Sequence, residues 1–342
     1  MTSQANARPP GPGDSISVVI PVYRGAQTLP GLLEELSGVR EVVTPAGRTA
    51  RIAEVILVWD NGPDDSDVVI RELAARHDWV HPVWLSRNFG QHAATIAGMA
   101  SSGSDWIVTM DEDGQHDPAL IGSLLDSAYE ARAHVVYARP SNPPPHGAVR
   151  NAASRFAKGV VARVLTGGSV TDFHSFRLVA GDVGRSVAAY AGPGVYLDVA
   201  LSWVTARVTW TSVPMRSEGR PASAYTWRAL MSHMWRLVLS SGNRPLRLIS
   251  GFGAVCAAVG VLYAVYLVVA RLLGDTQVQG WTSAVVSELV LGGIILISLG
   301  VIAEYVGLAA TMSMGKPGYV ILDDPERRFR EEPGSESESE SP

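Results

Sequence analysis

Residues 105–118 read DWIVTMDEDGQHDP, in which a short apolar segment is followed directly by three acids. The apolar residues 106–110 have the length and β-branched content of a buried strand. The three acids therefore fall at the carboxyl end of this strand, where open α/β sheets bind their ligands. On an extended chain, Asp111 and Asp113 would point in the same direction and could together hold a hard divalent cation beside a diphosphate. The alternative is a solvated acidic turn before the next helix.

The segments around this run alternate between strands and helices. Predicted strands cover residues 16–20, 55–59, 83–85, 106–110, 134–138, 171–179 and 208–213. Predicted helices cover residues 28–39, 67–77, 91–101, 118–131, 149–165 and 196–204. This alternation predicts a parallel, doubly wound α/β sheet.

Two apolar segments follow the α/β part. Residues 248–270 contain no charged residue and are long enough to span a bilayer as a helix. Residues 284–303 include Glu288 near their start but are otherwise rich in Ile, Leu and Gly. Arg and Lys flank the pair on both outer sides, whereas the intervening loop 274–280 carries only Asp275. We therefore expect two transmembrane helices with both termini in the cytoplasm.

The net charge of −5 comes from the terminal residues 331–342, which hold five glutamates and no base. The rest of the chain is neutral, so nothing indicates nucleic-acid binding. The only cysteine, Cys256, lies in the first apolar segment, where a packing role is expected. Residues 1–14 lack the apolar core of a signal peptide, and we expect the soluble part to stay in the cytoplasm.

Several motifs resemble those of the inverting family 2 glycosyltransferases with a GT-A fold. The most specific are LSRNFGQHAATIAGM at 85–99 and MDEDGQHDP at 110–118, while AEYVG at 303–307 and KPGY at 316–319 echo a terminal motif. The resemblance extends over residues 16–321 and is greatest for the polyprenyl-phosphate branch, which includes dolichol-phosphate mannose synthases and bacterial undecaprenyl-phosphate glucosyltransferases. It implies a metal-dependent hexosyltransferase of the inner membrane that moves a sugar from a nucleotide-sugar to polyprenyl phosphate for cell-envelope glycans or glycosylation. A UDP-sugar is the favoured donor and GDP-mannose the alternative.

The resemblance also implies roles for individual residues. A divalent cation, Mg²⁺ or Mn²⁺, is expected at Asp111, Asp113 and Gln115. Donor contacts are expected from Pro21, Tyr23, Asp60, Arg87, Asp111 and Gln115. The lipid phosphate is expected at Arg139, Arg150, Ser154, Arg220 and Ser223. Catalysis is assigned to Asp113, Arg139 and Arg150.

Five positions depart from the family pattern. Arg24 and Gly25 stand where the family usually has Asn and Glu, and Trp59 replaces the first of two acids. Glu112 replaces a small residue, and Ala224 stands where a lysine is common. An ionised phosphate can attack without a catalytic base, so Asp198 is not required in that role. We expect Asp198 to be a structural acid.

Taken with composition, these motifs divide the chain into six parts. They are a disordered lead (1–14), a GT-A domain (15–218), an acceptor loop with an interfacial amphipathic helix (219–245), a two-helix transmembrane hairpin (246–312), a cytoplasmic segment (313–330) and an acidic disordered tail (331–342). Two other interpretations stay open: a processive polysaccharide synthase, although its QxxRW motif and additional spans are not found, and a degenerate non-catalytic membrane interaction protein. A homo-oligomer through the membrane helices is a further option.

Overall fold

A computed structural model describes residues 13–141, 174–216, 244–273 and 280–326 of the 342-residue chain. These residues divide into two compact units. The sheet unit contains residues 13–141, 174–216 and 317–326. The hairpin unit contains residues 244–273 and 280–316.

The sheet unit alternates strands and helices along most of its length. Its strands are β1 (Asp14–Val22), β2 (Glu41–Val43), β3 (Thr49–Trp59), β4 (Val80–Leu85), β5 (Trp106–Thr109), β6 (Val135–Pro140), β7 (Arg177–Ala180), β8 (Val208–Val213) and β9 (Ile321–Leu322). Its helices are α1 (Leu29–Gly38), α2 (Ser66–Arg76), α3 (Gln91–Ala100), α4 (Ile121–Ala131), α5 (Gly181–Tyr190) and α6 (Leu197–Val204). A single 3₁₀ turn, Pro118–Leu120, precedes α4.

Within the described residues, all nine strands form one mixed sheet in the order β8-β6-β7-β5-β1-β3-β4-β9, with β2 paired to β3. The pairs β5-β1, β1-β3, β3-β4 and β6-β8 are parallel. The prediction of a parallel sheet is therefore confirmed for this framework. It is wrong for β2, β7 and β9, which run antiparallel to their neighbours.

Helices cover both faces of the sheet, because apolar residues of the strands alternate between them. Val18 and Ile20 of β1 pack on the side of α1, α2 and α4. Val19 packs on the other side, with α3, α5 and α6. There α3 lies so close that a Cβ on Gly98 would be 2.3 Å from Val19 Cγ1. The result is the three-layer arrangement of a Rossmann-like fold.

Some predicted elements differ in the structure. The predicted strand 106–110 ends at Thr109. Within the described residues, the predicted strand 171–179 begins at Arg177, as β7. Three elements were not predicted, namely β2, α5 and β9. The predicted helix 149–165 and most of the predicted interfacial segment 219–245 lie outside the described residues.

The hairpin unit consists of two long helices, α7 (Arg244–Leu272) and α8 (Trp281–Ser313). Among the described residues, Val290–Gly307 of α8 is the one stretch long and apolar enough to cross a membrane, with a mean hydropathy of 2.0 and no buried residue. The apolar stretch of α7, Ile249–Tyr263, is shorter. One candidate span is therefore found among the described residues, and the expected pair of transmembrane helices is not confirmed.

Candidate active site

The carboxyl ends of the parallel strands bring several predicted site residues to one edge of the sheet. Tyr23 follows β1, Asp60 follows β3, Arg87 follows β4 and Asp111 follows β5. Arg139 lies near the end of β6, which runs in the same direction as β5 because both are antiparallel to β7. This edge is where α/β sheets of this kind bind ligands. The other predicted acceptor residues, Arg150, Ser154, Arg220 and Ser223, lie outside the described residues.

Asp111 begins the acidic turn, residues 111–114, and its carboxylate is held from two sides. Gln91 Nε2, at the start of α3, donates to Oδ1 at 2.6 Å. Ser175 Oγ, just before β7, donates to Oδ2 at 2.5 Å. Two separate elements therefore fix the orientation of this carboxylate.

His116 supports the acidic turn from the core. Its ring stacks on Phe176 with centroids 5.0 Å apart, and its Nδ1 accepts a hydrogen bond of 3.0 Å from the Asp111 backbone N–H. Burial lowers the pKa of His116, although the charges of Asp111 and Asp113 act in the opposite direction. The neutral imidazole then carries its proton on Nε2, which lies 3.9 Å from Asp111 Oδ2.

Asp113 is partly exposed and lies in a turn rather than on a strand. Its Oδ1 accepts a hydrogen bond of 3.1 Å from Gln115 N, and Gly114 has a positive φ of 73°. Because β5 ends before the acids, the expectation that Asp111 and Asp113 lie on an extended chain is wrong. Within the described part of the chain, Asp113 Oδ2 has no hydrogen-bond donor.

Gln115 follows the acidic turn and connects it to Arg216, which lies just after β8. Its carbonyl accepts a hydrogen bond of 3.2 Å from Arg216 N. The Arg216 guanidinium binds Glu35 at 2.7 Å and Asp117 at 3.0 Å. Sequence reasoning missed these contacts, because Glu35 and Arg216 lie far from Gln115 and Asp117 in the chain.

The acidic turn offers carboxylate oxygens to a divalent cation. No group of three or more His, Cys, Asp or Glu side chains with ligand geometry occurs among the described residues. Mg²⁺, however, is commonly held by one or two carboxylates together with water and substrate phosphates. Asp111 and Asp113 supply two carboxylates, and the second oxygen of Asp113 is directed to no protein donor in the described residues. The residues therefore fit a cation shared with a diphosphate.

Asp60 is buried at the end of β3 and holds the loop after β4. Its two carboxylate oxygens accept hydrogen bonds from the backbone N–H groups of Phe89, at 2.7 Å, and Gly90, at 2.8 Å. Burial raises the pKa of Asp60, whereas these two hydrogen bonds lower it. Because Gly90 directly precedes Gln91, Asp60 also helps to position the residue that binds Asp111. A contact between Asp60 and a nucleotide base stays a prediction.

The remaining predicted donor residues lie at the same edge. Pro21 is inside β1 and partly buried, while Tyr23 is 40% exposed. Arg87 is exposed, with its guanidinium 4.0 Å from the Phe89 ring and Nη1 donating to Asn88 O at 3.2 Å. Their side chains are accessible to a ligand at this edge.

A buried polar network lies beneath the acidic turn. Thr109, Arg177 and Tyr137 are paired in register across β5, β7 and β6. Asp198 of α6 accepts hydrogen bonds from Arg177 Nη1 and, at 3.0 Å, from Tyr137 Oη. Burial, together with the charge of Asp198, raises the pKa of Tyr137 well above its usual value.

Ser175 connects this buried network to Asp111. The carbonyl of Ser175 accepts hydrogen bonds from Thr109 Oγ1, at 2.5 Å, and Arg177 Nε, at 3.5 Å, while Ser175 Oγ binds Asp111. The buried Arg177 therefore supports the loop that holds the first acid. Sequence analysis placed Arg177 in a strand but gave it no role.

A mixed Rossmann-like sheet with acids at the carboxyl ends of its strands is typical of nucleotide-dependent α/β enzymes. Two family models match the chain: "Glycosyl transferase family 2" over residues 17–179 and "GtrB C-terminal hairpin" over residues 244–308. The chain therefore contains a glycosyl transferase family 2 domain, followed by a GtrB-type hairpin.

Full-length relatives and a solved structure resemble the chain. A bactoprenol glucosyl transferase of Shigella phage SfV is 24% identical over 91% of this chain and 99% of the relative. An undecaprenyl-phosphate 4-deoxy-4-formamido-L-arabinose transferase of Klebsiella pneumoniae (strain 342) is 29% identical over 94% of this chain and 98% of the relative. The crystal structure of mannosyl-3-phosphoglycerate synthase from Rubrobacter xylanophilus has a TM-score of 0.49 at 16% identity, covering 69% of this chain and 74% of that one.

Proposed function

We propose that this chain transfers a sugar from a nucleotide-sugar to polyprenyl phosphate, with inversion, at the cytoplasmic face of the membrane. The observation that carries the proposal is the acidic turn, whose two aspartates lie at the ligand-binding edge of the sheet. Relatives named as bactoprenol and undecaprenyl-phosphate sugar transferases support it, since they align along nearly the whole chain. The product is a polyprenyl-phosphate-linked monosaccharide.

On the donor side, Asp111 and Asp113 would hold a divalent cation together with the diphosphate. Such a cation would supply positive charge to offset the negative charge that builds on the leaving nucleotide. Asp111 is held by Gln91 and Ser175, so the donor binds to a carboxylate whose orientation is already fixed. Tyr23 and Arg87 are accessible at the same edge and line the nucleotide.

On the acceptor side, the lipid phosphate needs to be positioned rather than deprotonated. The second pKa of a phosphate monoester is about 6, so the nucleophile is mostly ionised at neutral pH. Arg139 is exposed at the end of β6 and receives the phosphate together with Arg150, Ser154, Arg220 and Ser223. Arginine donors fork onto phosphate oxygens and align the attacking oxygen with the anomeric carbon.

The hairpin unit holds the catalytic domain at the membrane. Its candidate span, Val290–Gly307, has the length and hydropathy of a membrane helix. Crossing by α7 as well would place the loop 274–280 outside the cell and both termini inside. A reporter in this loop that reacts only with an external reagent supports this topology, and reaction from the cytoplasm alone contradicts it.

The test is a panel of UDP- and GDP-sugars offered to the purified full-length protein with polyprenyl phosphate in detergent. We expect one nucleotide-sugar to yield a glycosylated lipid phosphate of the inverted anomer, detected by mass spectrometry and NMR. Chelation of divalent cations should stop the reaction, and added Mg²⁺ or Mn²⁺ should restore it. The matched control acceptor is the free polyprenol, which lacks the phosphate. Transfer to polyprenol at an equal rate, or none to polyprenyl phosphate from any donor, would refute the proposal.

A further inference from the structure

Glu112, the middle acid of the acidic turn, binds a different loop from its two neighbours. Its Oε2 accepts a hydrogen bond of 3.0 Å from Tyr23 N. Its Oε1 and Oε2 accept from Arg24 N at 3.0 and 3.2 Å. Tyr23 and Arg24 begin the β1-α1 turn, residues 23–28. One carboxylate therefore joins the acidic turn to the β1-α1 turn by hydrogen bonds that are strengthened by its charge.

The next two backbone N–H groups of the β1-α1 turn are also bound by side chains. Gly25 N donates to Ser66 Oγ at 2.9 Å, and Ala26 N donates to Asp64 Oδ2 at 3.1 Å. Ser66 Oγ in turn donates to Asp64 Oδ1 at 2.6 Å. The start of α2 thus fixes one half of the turn, while Glu112 fixes the half that contains Tyr23.

The Glu112 carboxylate occupies space that is open only because residue 25 is a glycine. A Cβ on residue 25 would lie 2.6 Å from Glu112 Oε2, which is closer than a real Cβ approaches an oxygen, and 3.0 Å from Leu29 Cγ. A side chain at position 25 would therefore displace the Glu112 carboxylate. The two departures from the family motif at these positions form one geometric unit, in which residue 112 supplies the carboxylate and residue 25 leaves room for it.

We propose that Glu112 is a positioning residue for the nucleotide-sugar donor, setting the place of Tyr23 relative to Asp111 and Asp113. The inference rests on the proposed function, because the donor must contact both turns at once. Asp111 is fixed by its own contacts, and Glu112 extends this fixed position to the β1-α1 turn. Without Glu112, the backbone N–H groups of Tyr23 and Arg24 lose their acceptor, and the nucleotide has to order that turn when it binds.

Steady-state kinetics with donor and acceptor varied separately test this role. For Glu112→Ala we expect the donor KM to rise about tenfold, equivalent to about 1.4 kcal/mol, with acceptor KM and kcat nearly unchanged. Glu112→Gln should give a smaller rise, because its amide oxygen can still accept a hydrogen bond. Glu130→Gln is the matched control, as it alters an exposed glutamate of α4, and it should change neither constant.

A double-mutant cycle with Gly25→Ala adds a second readout. Gly25→Ala alone should raise the donor KM, because its Cβ displaces the Glu112 carboxylate. In the Glu112→Ala background the same change should raise the KM much less, so the two effects are not additive. Additive effects would show that the two positions act independently and would overturn the inference.

Amide hydrogen exchange separates failure of this inference from failure of the proposed function. Glu112→Ala should speed amide hydrogen exchange at Tyr23 and Arg24, and a bound nucleoside diphosphate with Mg²⁺ should restore the protection. A normal donor KM in Glu112→Ala, with a lowered melting temperature only, would mean that Glu112 serves stability alone, while wild-type transfer would still support the proposed function. Absence of transfer by the wild type from every nucleotide-sugar would instead refute both.

Discussion

The sheet unit and the hairpin unit place their apolar side chains in opposite environments. In the sheet unit, two clusters of Val, Ile and Leu are buried on the two faces of the sheet. In the hairpin unit, Leu262 and Leu296 are each 70% exposed, and none of the residues 290–307 is buried. The sheet unit excludes water with its own residues, whereas the described residues do not cover the apolar side chains of α8.

Within the sheet unit, charged groups also lie in two different environments. Arg177 and Asp198 of the sheet unit are buried and bind each other, while Asp111 and Asp113 are partly exposed at the edge of the sheet. Removing one member of a buried pair lowers stability, because the other charge stays buried without its partner, whereas an exposed acid at a ligand-binding edge contributes to binding. Changes at these positions should therefore separate stability from activity.

The largest effect is expected from Arg177→Met. It leaves Asp198 buried with Tyr137 as its one hydrogen-bond donor among the described residues, and breaking a buried pair in this way costs about 3–5 kcal/mol. Denaturant unfolding of the protein in detergent should show this loss. The double variant Arg177→Met/Asp198→Leu should recover part of it, because no unpaired charge remains. A single variant as stable as the wild type would show that the sheet unit does not depend on its buried charges.

The sequence was sufficient to predict the framework in which Arg177 lies, but not its contacts. Runs of β-branched residues located β1, β3, β5 and β8. The strands β2 and β9, with three and two residues, are too short to give a periodic signal. Their pairing depends on neighbours distant in the chain.

The candidate site shows the same limit. The positions of Asp111 and Asp113 after a strand could be predicted, because acids at a strand's carboxyl end are visible in the sequence. The partners of Asp111 could not, since Gln91 and Ser175 lie 20 and 64 positions away. The direction of each acid depends on a turn rather than on strand periodicity. Glu112 therefore turned out to bind the β1-α1 turn, which no local pattern indicates.

Asp113→Asn should lower metal-dependent transfer at least several hundredfold, or roughly 3.5 kcal/mol, because under the proposed function it removes a charged ligand of the cation. Its stability should stay within about 0.5 kcal/mol of the wild type, since the side chain is partly exposed and outside the core. Initial rates over a range of Mg²⁺ concentrations and a melting curve measure the two quantities. Asp78→Asn, at an exposed position before β4, is the control. Transfer near the wild-type rate at limiting Mg²⁺ would contradict the metal assignment.

Leu296→Arg and Val43→Arg compare the two units directly, because the two side chains are 70% and 72% exposed. In a bilayer, Arg near the centre of a span costs about 2.5–3.5 kcal/mol, so Leu296→Arg should reduce membrane insertion. Val43 lies in β2 of the sheet unit, where Arg can extend into water and should have little effect. Insertion is measured by membrane fractionation and protease protection. Equal tolerance of both substitutions would indicate that the exposed face of α8 is not in lipid.

The smallest effect is expected where the chain returns to the sheet unit after the hairpin. There β9 pairs with β4, and Arg71 Nε donates to both carboxylate oxygens of Asp324 at 3.0 Å. Asp324→Ala should cost no more than about 1 kcal/mol, because the pair is partly exposed and Arg71 keeps Asp67 at 2.9 Å.

The local consequence of Asp324→Ala should be clearer than the global one. The Ser86 backbone N–H donates to Val320 O at 3.0 Å, next to the loop that carries Arg87, so its hydrogen exchange reports whether β9 stays on β4. We expect faster exchange at Ser86 in Asp324→Ala and no change in Asp323→Ala, which alters the exposed neighbour on the same segment. Because the returning segment adds few contacts, its release should leave the rest of the sheet protected. Loss of protection throughout β3 and β4 would mean instead that the segment after the hairpin is an integral part of the fold.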